Sequence, residues 1–81
     1  MKVRVKLFAI LRERAGTNEI TKEIGEGSTV RELWEVLRRD YPRLAPGGIR
    51  LLYAVNQNYV NPDYVLNEGD EVVFVPPVSG G

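Results

Sequence analysis

Hydrophobic and polar positions alternate strictly over Lys2-Val3-Arg4-Val5-Lys6-Leu7. Val3, Val5 and Leu7 share one face and the basic residues the other, which predicts a strand with one wet side. Phe8 falls on the outward phase, where it either covers the following turn or contributes to a partner surface. The period then changes. Phe8 to Ala15 is rich in helix formers and Gly16 suits the position just past a helix end, so one or two helical turns are expected, with Ile10 and Leu11 closing one end of the core. Thr17 to Ile24 reads as a second strand, antiparallel to the first, and its polar content suggests an edge.

The main helix has the clearest local signature. Thr29 followed by Glu32 is a capping box. Val30, Leu33, Trp34, Leu37 and Tyr41 then form one apolar stripe, and Pro42 disfavours helical geometry at Tyr41. Trp34 on that stripe reads as a core aromatic. After a loop from Arg43 to Gly48 that contains Pro46-Gly47-Gly48, Arg50 to Val55 reads as a third strand, and Asn56-Gln57-Asn58 as a tight turn in which Asn58 takes the left-handed conformation. A short strand follows at Tyr59-Val60, then a turn at 61–64, and Leu66 returns to the core.

The last strand is the run Glu71 to Val75, launched from a turn at Glu68-Gly69-Asp70. Its apolar residues are consecutive, so the inward face is ambiguous. If Val73 and Val75 point inward, Phe74 stands on the other side and suits an interface anchor; the reverse register buries it. The outward register is the expectation. The order β-β-α-β-β-β, with one helix over one sheet face, predicts an α+β layer fold. The first and last strands carry the strongest apolar patterns and are expected side by side and parallel at the sheet centre.

Pro76-Pro77 cannot continue a ladder, because neither residue has an N–H. The segment Pro76-Pro77-Val78-Ser79-Gly80-Gly81 therefore leaves the sheet as an extended stem spanning at most ~20 Å, at ~3.3 Å per residue. Gly80 and Gly81 lack a Cβ and fit a narrow slot. A frayed terminus has the same appearance. The alternative is a stem built to place one carboxyl group inside a partner.

Composition narrows the chemistry. The 81 residues predict a single domain, 1–81, with 76–81 as its tail. A chain of this size leaves little room for a deep catalytic cleft. Eleven basic and eleven acidic residues cancel, which argues against a nucleic-acid partner. There are no cysteines and no histidines, so thiol nucleophiles, zinc clusters and histidine bases are excluded. Asp70-Glu71 is more simply a turn than a magnesium site. No apolar run approaches the ~20 residues of a membrane helix, and no signal peptide opens the chain, so no membrane contact and a cytoplasmic location are expected.

Three stretches together resemble a known family. They are Phe8-Ala9-x-Leu11-Arg12-Glu13-x-Ala15-Gly16, then Ala54-Val55-Asn56-Gln57 with Tyr59-Val60, and the closing Gly69-Asp70-Glu71-Val72 … Pro76-Pro77-Val78-Ser79-Gly80-Gly81. Their order and spacing resemble the small subunit of molybdopterin synthase (the MoaD type). The thiamine-pathway sulfur carrier (the ThiS type) shares the Gly-Gly end but lacks the Phe-Ala-x-Leu-Arg-Glu stretch.

The resemblance implies a β-grasp, ubiquitin-like fold and a sulfur carrier of molybdenum-cofactor synthesis. Gly81 would hold an acyl-adenylate and then a thiocarboxylate, and Gly80 would give clearance in the partner's tunnel. Val78 and Ser79 would line that tunnel, and Pro76 and Pro77 would aim the stem. Phe74, Phe8 and Arg12 would belong to the docking face, although Arg12 reads more simply as a solvated surface cation. The implied partners are the large synthase subunit (MoaE type), a ubiquitin-activating-like adenylyltransferase (MoeB type) and a sulfur donor protein. No cofactor is implied on the chain itself, ATP being used in trans by the activating enzyme. Other readings are a protein modifier that forms isopeptide bonds to lysines, and a β-grasp interaction domain with no tail chemistry.

Overall fold

A computed structural model describes residues 1–44 and 50–76. The elements are β1 (Lys2–Leu7), α1 (Ala9–Ala15), β2 (Glu19–Glu23), α2 (Val30–Asp40), β3 (Leu52–Val55), β4 (Asn58–Val60) and β5 (Glu71–Val75). The five strands form one sheet in the order β2-β1-β5-β3-β4. β1 and β5 run parallel, and β1–β2, β3–β5 and β3–β4 are antiparallel. The first and last strands therefore meet at the centre, as their apolar content predicts. The mixed sheet with its main helix makes this a β-grasp fold of the ubiquitin-like kind.

The alternation of β1 sets the two sides of the sheet. Val3, Val5 and Leu7 are fully buried, and Lys2 and Arg4 are exposed. β2 contributes Ile20, which is opposite Val5. Lys22 lies opposite Val3, so its stem runs along the core side and its ammonium reaches Asp40 at the end of α2. The core is closed by the apolar stripe of α2, from which Val30, Leu33, Trp34 and Leu37 are buried.

The capping box forms as read. The Glu32 N–H donates to Thr29 Oγ1 over 3.2 Å, and the Thr29 N–H donates to Glu32 Oε1 over 3.0 Å. These two bonds satisfy amides that the first turn leaves without partners. α2 stops at Tyr41, whose N–H still bonds Leu37 O at 2.8 Å, one residue before the proline. α1 ends on Gly16 at φ 77°, the left-handed geometry that glycine adopts without penalty.

Three local expectations need correction. Phe74 is fully buried. Its ring centroid lies 4.9 Å from that of Trp34 and meets Tyr53 edge-on at 5.7 Å. The inward face of β5 is thus Val72 and Phe74, with Val73 and Val75 on the opposite side, because their partners Val5 and Leu7 already point into the core. Ile10 is partly exposed, and Leu11 alone of that pair closes the core. In the β3–β4 hairpin the left-handed residues are Asn56 (φ 49°) and Gln57 (φ 72°), not Asn58, which is the first residue of β4. Two positive φ values in a two-residue loop match the right-handed twist of a hairpin. Leu44, inside the expected 43–48 loop, is given no role by its sequence. It is fully buried, its N–H bonds Tyr41 O, and its carbonyl accepts from Arg14 Nη1 at 3.2 Å.

Candidate functional site

β5 delivers the chain to Pro76, the last described residue, and its two ends are built differently. At the start, Asp70 is a buried acid at 7% exposure. Its carboxylate accepts from Asn56 Nδ2 at 2.9 Å and from the Asn67 N–H at 2.8 Å. The Asn56 side chain in turn accepts from the Glu71 N–H at 3.0 Å, and the Asn56 N–H donates to Glu71 O at 2.8 Å. The Arg4 N–H donates to Asp70 O, and the Gly69 N–H donates to Lys2 O. This clasp ties the start of β5 to both β1 and the hairpin. The sequence shows Asp70 and Asn56 only as turn residues; an Asx residue at each end of an apolar run was the available signal.

The far end of β5 has no such clasp. Its last ladder partners are Leu7↔Phe74 and Leu52↔Val75. Pro76 brings no N–H to extend them. Pro77, Val78, Ser79, Gly80 and Gly81, the residues given the stem and reactive-end roles, lie outside the described residues.

The sheet face turned away from α2 is divided. Partnered residues share a face, so Arg4 with Glu71 and Lys6 with Val73 point outward together. On the β1 side the surface is ionic: Glu71 Oε2 is 3.5 Å from Arg4 Nη2 and 3.4 Å from Lys6 Nζ, and Arg4 also approaches Glu19 at 4.0 Å. These pairs are partly solvated and contribute little to stability. Towards the end of β5 the same face turns apolar. Val73, Val75, Leu52 and Tyr59 gather there with Ala54 between them, and Leu52 and Tyr59 are 56% and 71% exposed.

Phe8 continues the outward phase of β1, just past the last β1–β5 pair Leu7↔Phe74, and is 51% exposed. Arg12, one helical turn further on, lines a shallow hollow with Lys6, Leu7, Phe8, Asn18 and Glu19. Arg12 takes part in no ion pair among the described residues. The structure therefore brings Phe8, Arg12 and Pro76 to one end of the sheet and removes Phe74 from it. Exposed Leu52 and half-buried Val75 replace Phe74 as the apolar groups beside the stem, with exposed Tyr59 further along the same face. They follow from the sequence only once the register of β5 is known. The described residues hold no group of acidic side chains suited to a metal ion.

Residues 5–81 match the family model described as the ThiS family. The chain belongs to the ThiS family. The "Molybdopterin synthase sulfur carrier subunit" of Chlamydomonas reinhardtii is 40% identical over 83 residues, which cover 100% of both chains. Among solved structures, the "putative molybdopterin converting factor, subunit 1" of Pyrococcus furiosus superposes with a TM-score of 0.87 at 34% identity, over 96% of this chain and 99% of that one. The "small archaeal modifier protein 1" of Methanosarcina acetivorans superposes with a TM-score of 0.80 at 33% identity, over 99% and 96% of the two chains. Within the ThiS family, then, this chain resembles proteins named for sulfur carriage and one named for protein modification. Among the described residues, no helix is long and apolar enough to cross a membrane.

Proposed function

We propose that this chain is a sulfur carrier in molybdenum-cofactor biosynthesis, acting as the small, sulfur-donating subunit of molybdopterin synthase. The observation that carries the reading is its likeness, along its whole length, to a relative of that name. The open end of β5, with exposed apolar groups around Pro76, supports it.

A terminal carboxyl has a pKa of ~3.3–3.7 and is an anion at neutral pH, which makes it a poor electrophile. One Gly81 carboxylate oxygen attacks the α-phosphorus of ATP and expels pyrophosphate. This leaves an acyl-adenylate whose AMP is a good leaving group. A persulfide sulfur on a donor protein then adds to the acyl carbon and expels AMP, and a thiol of the donor cleaves the resulting acyl disulfide, which leaves a disulfide on the donor and a thiocarboxylate on the terminus. The chain has no cysteine, no histidine and no phosphate-binding loop, so both steps take place on partners: an adenylyltransferase that uses ATP, then the sulfur donor. The loaded stem enters the large synthase subunit and gives its sulfur to cyclic pyranopterin monophosphate. Val78, Ser79 and Gly80 form the narrow part of the stem, and Phe8, Arg12, Leu52 and Val75 surround its base.

Intact mass spectrometry of protein from cells making the cofactor tests this. A fraction is expected to carry the mass increase of one oxygen exchanged for sulfur. Deleting Gly81 is expected to remove that fraction and cofactor synthesis together. Full synthesis by the deletion variant would refute the reading.

The likeness to an archaeal modifier protein favours a second fate for the same adenylate, attack by a lysine amine to give an isopeptide. Lysine adducts of this chain on many unrelated proteins would identify that activity, and their absence would leave sulfur carriage as the sole role.

A further inference from the structure

Ala9 stands at φ 52°, in the left-handed region, as the first residue of α1. Only two other described non-glycine residues have a positive φ. They are Asn56 and Gln57, where a two-residue hairpin loop requires it. No such loop surrounds Ala9. Its Cβ makes this conformation unfavourable, and glycine would adopt it freely.

The neighbours show what the corner accomplishes. Leu7 and Leu11 are both fully buried, so the chain must send two side chains into the core four residues apart. Phe8 between them is extended, at φ −128° and ψ 159°, and its side chain makes no cap for the helix. Its carbonyl accepts from the N–H groups of Leu11 at 3.1 Å and Arg12 at 3.4 Å. The turn from strand to helix is therefore completed within one residue, Ala9. Phe8 is already on the outer side by the phase of β1; because the next residue is left-handed, the chain turns back there and Arg12 comes over Phe8 to line the same hollow, flanking the ring.

We propose that Ala9 is a positioning residue for partner docking: its left-handed backbone holds the Phe8 ring out beside the base of the stem. The inference rests on the docking face put forward above. Glycine at this position keeps the turn open to the chain but also admits φ values of both signs, so the ring is no longer held in one place. A β-branched residue would take the turn only under still greater strain.

The test is a double-mutant cycle read by binding to the purified large synthase subunit, with melting measured alongside. Ala9→Gly is expected to raise the melting midpoint slightly, since relief of the left-handed strain outweighs the extra freedom of the unfolded chain, so that a loss of binding cannot come from a loss of fold. It is expected to weaken binding about fivefold, the scale of re-ordering one side chain at an interface. In a Phe8→Ala background the same change is expected to cost nothing more, because there is no ring left to aim. An equal loss with and without Phe8, or no loss in either, overturns the proposal. Nuclear magnetic resonance decides it independently of any partner. Wild type is expected to show the strong intraresidue HN–Hα contact of a positive φ at Ala9 and an ordered Phe8 ring, and Ala9→Gly is expected to free that ring. An equally ordered ring in both proteins overturns the role of Ala9. Failure of wild type to bind while the ring behaves as expected would count against the docking face alone.

Discussion

The two ends of β5 carry opposite designs. At Asp70 both carboxylate oxygens, the N–H and the carbonyl are partnered, and the strand is tied to β1 on one side and to the hairpin on the other. At Val75 the ladder stops, apolar side chains face water, and a proline follows. A strand's side-chain period is two, so a slip of one residue would turn Phe74 outward and Val75 inward. A register fixed firmly at the start leaves the other end free of structural duties. The stem can then be shaped for a partner rather than for the fold.

Removing the free end gives the largest predicted contrast. Deletion of Gly81 should abolish sulfur transfer and leave the melting midpoint where it was, checked by a transfer assay and calorimetry on the same sample. Joint loss of both would show that the tail supports the body. Phe74→Ala attacks the inward side of the same strand. Loss of a fully buried ring should cost about 3–5 kcal/mol, a fall in melting midpoint of at least about 12 °C for a domain this small. A drop of only a degree or two would restore Phe74 to the docking face.

Asp70→Ala probes the clasp. It removes the acceptor of the Asn67 N–H and Asn56 Nδ2 at a part-buried site where water can reach both donors, for about 1 kcal/mol by denaturant melt. Thr29→Ala removes a cap far from either end and should cost about 1 kcal/mol, with partner affinity unchanged. Leu52→Ser, on the exposed face opposite Val75, should move stability by no more than about 0.5 kcal/mol while weakening the large-subunit complex in a titration. A stability loss near that of Asp70→Ala would mean that the outer face supports the fold as well.

What could be read from the chain followed the strength of its local patterns. β1 alternates without interruption, and the capping box at Thr29 opens a regular stripe, so both elements and their buried faces were legible. Gly16 marked the end of α1 because few other residues stop a helix there so cheaply. The face of β5 was not legible: Val72, Val73, Phe74 and Val75 are all apolar, and only pairing with β1 decides between them. Leu44 and Asp70 were hidden for a related reason. Each is a lone residue within a polar stretch, and its burial depends on α1, in one case, and on the hairpin, in the other. The left-handed Ala9 carries no residue-type signal, since alanine is the last type a turn rule would name. At the site, the stem roles came with the family resemblance, whereas Leu52, Tyr59 and Val75 needed the sheet register.

The middle strand of the sheet is also the last in chain order. Until residues 71–75 thread between β1 and β3, only two separate ribbons exist, β2 with β1 and β3 with β4, and isolated ribbons of that size are barely stable in water. A polypeptide cut short before residue 71 is therefore a matter for proteolysis. It cannot persist as a well-formed but blunt impostor occupying the partners that await a loaded one.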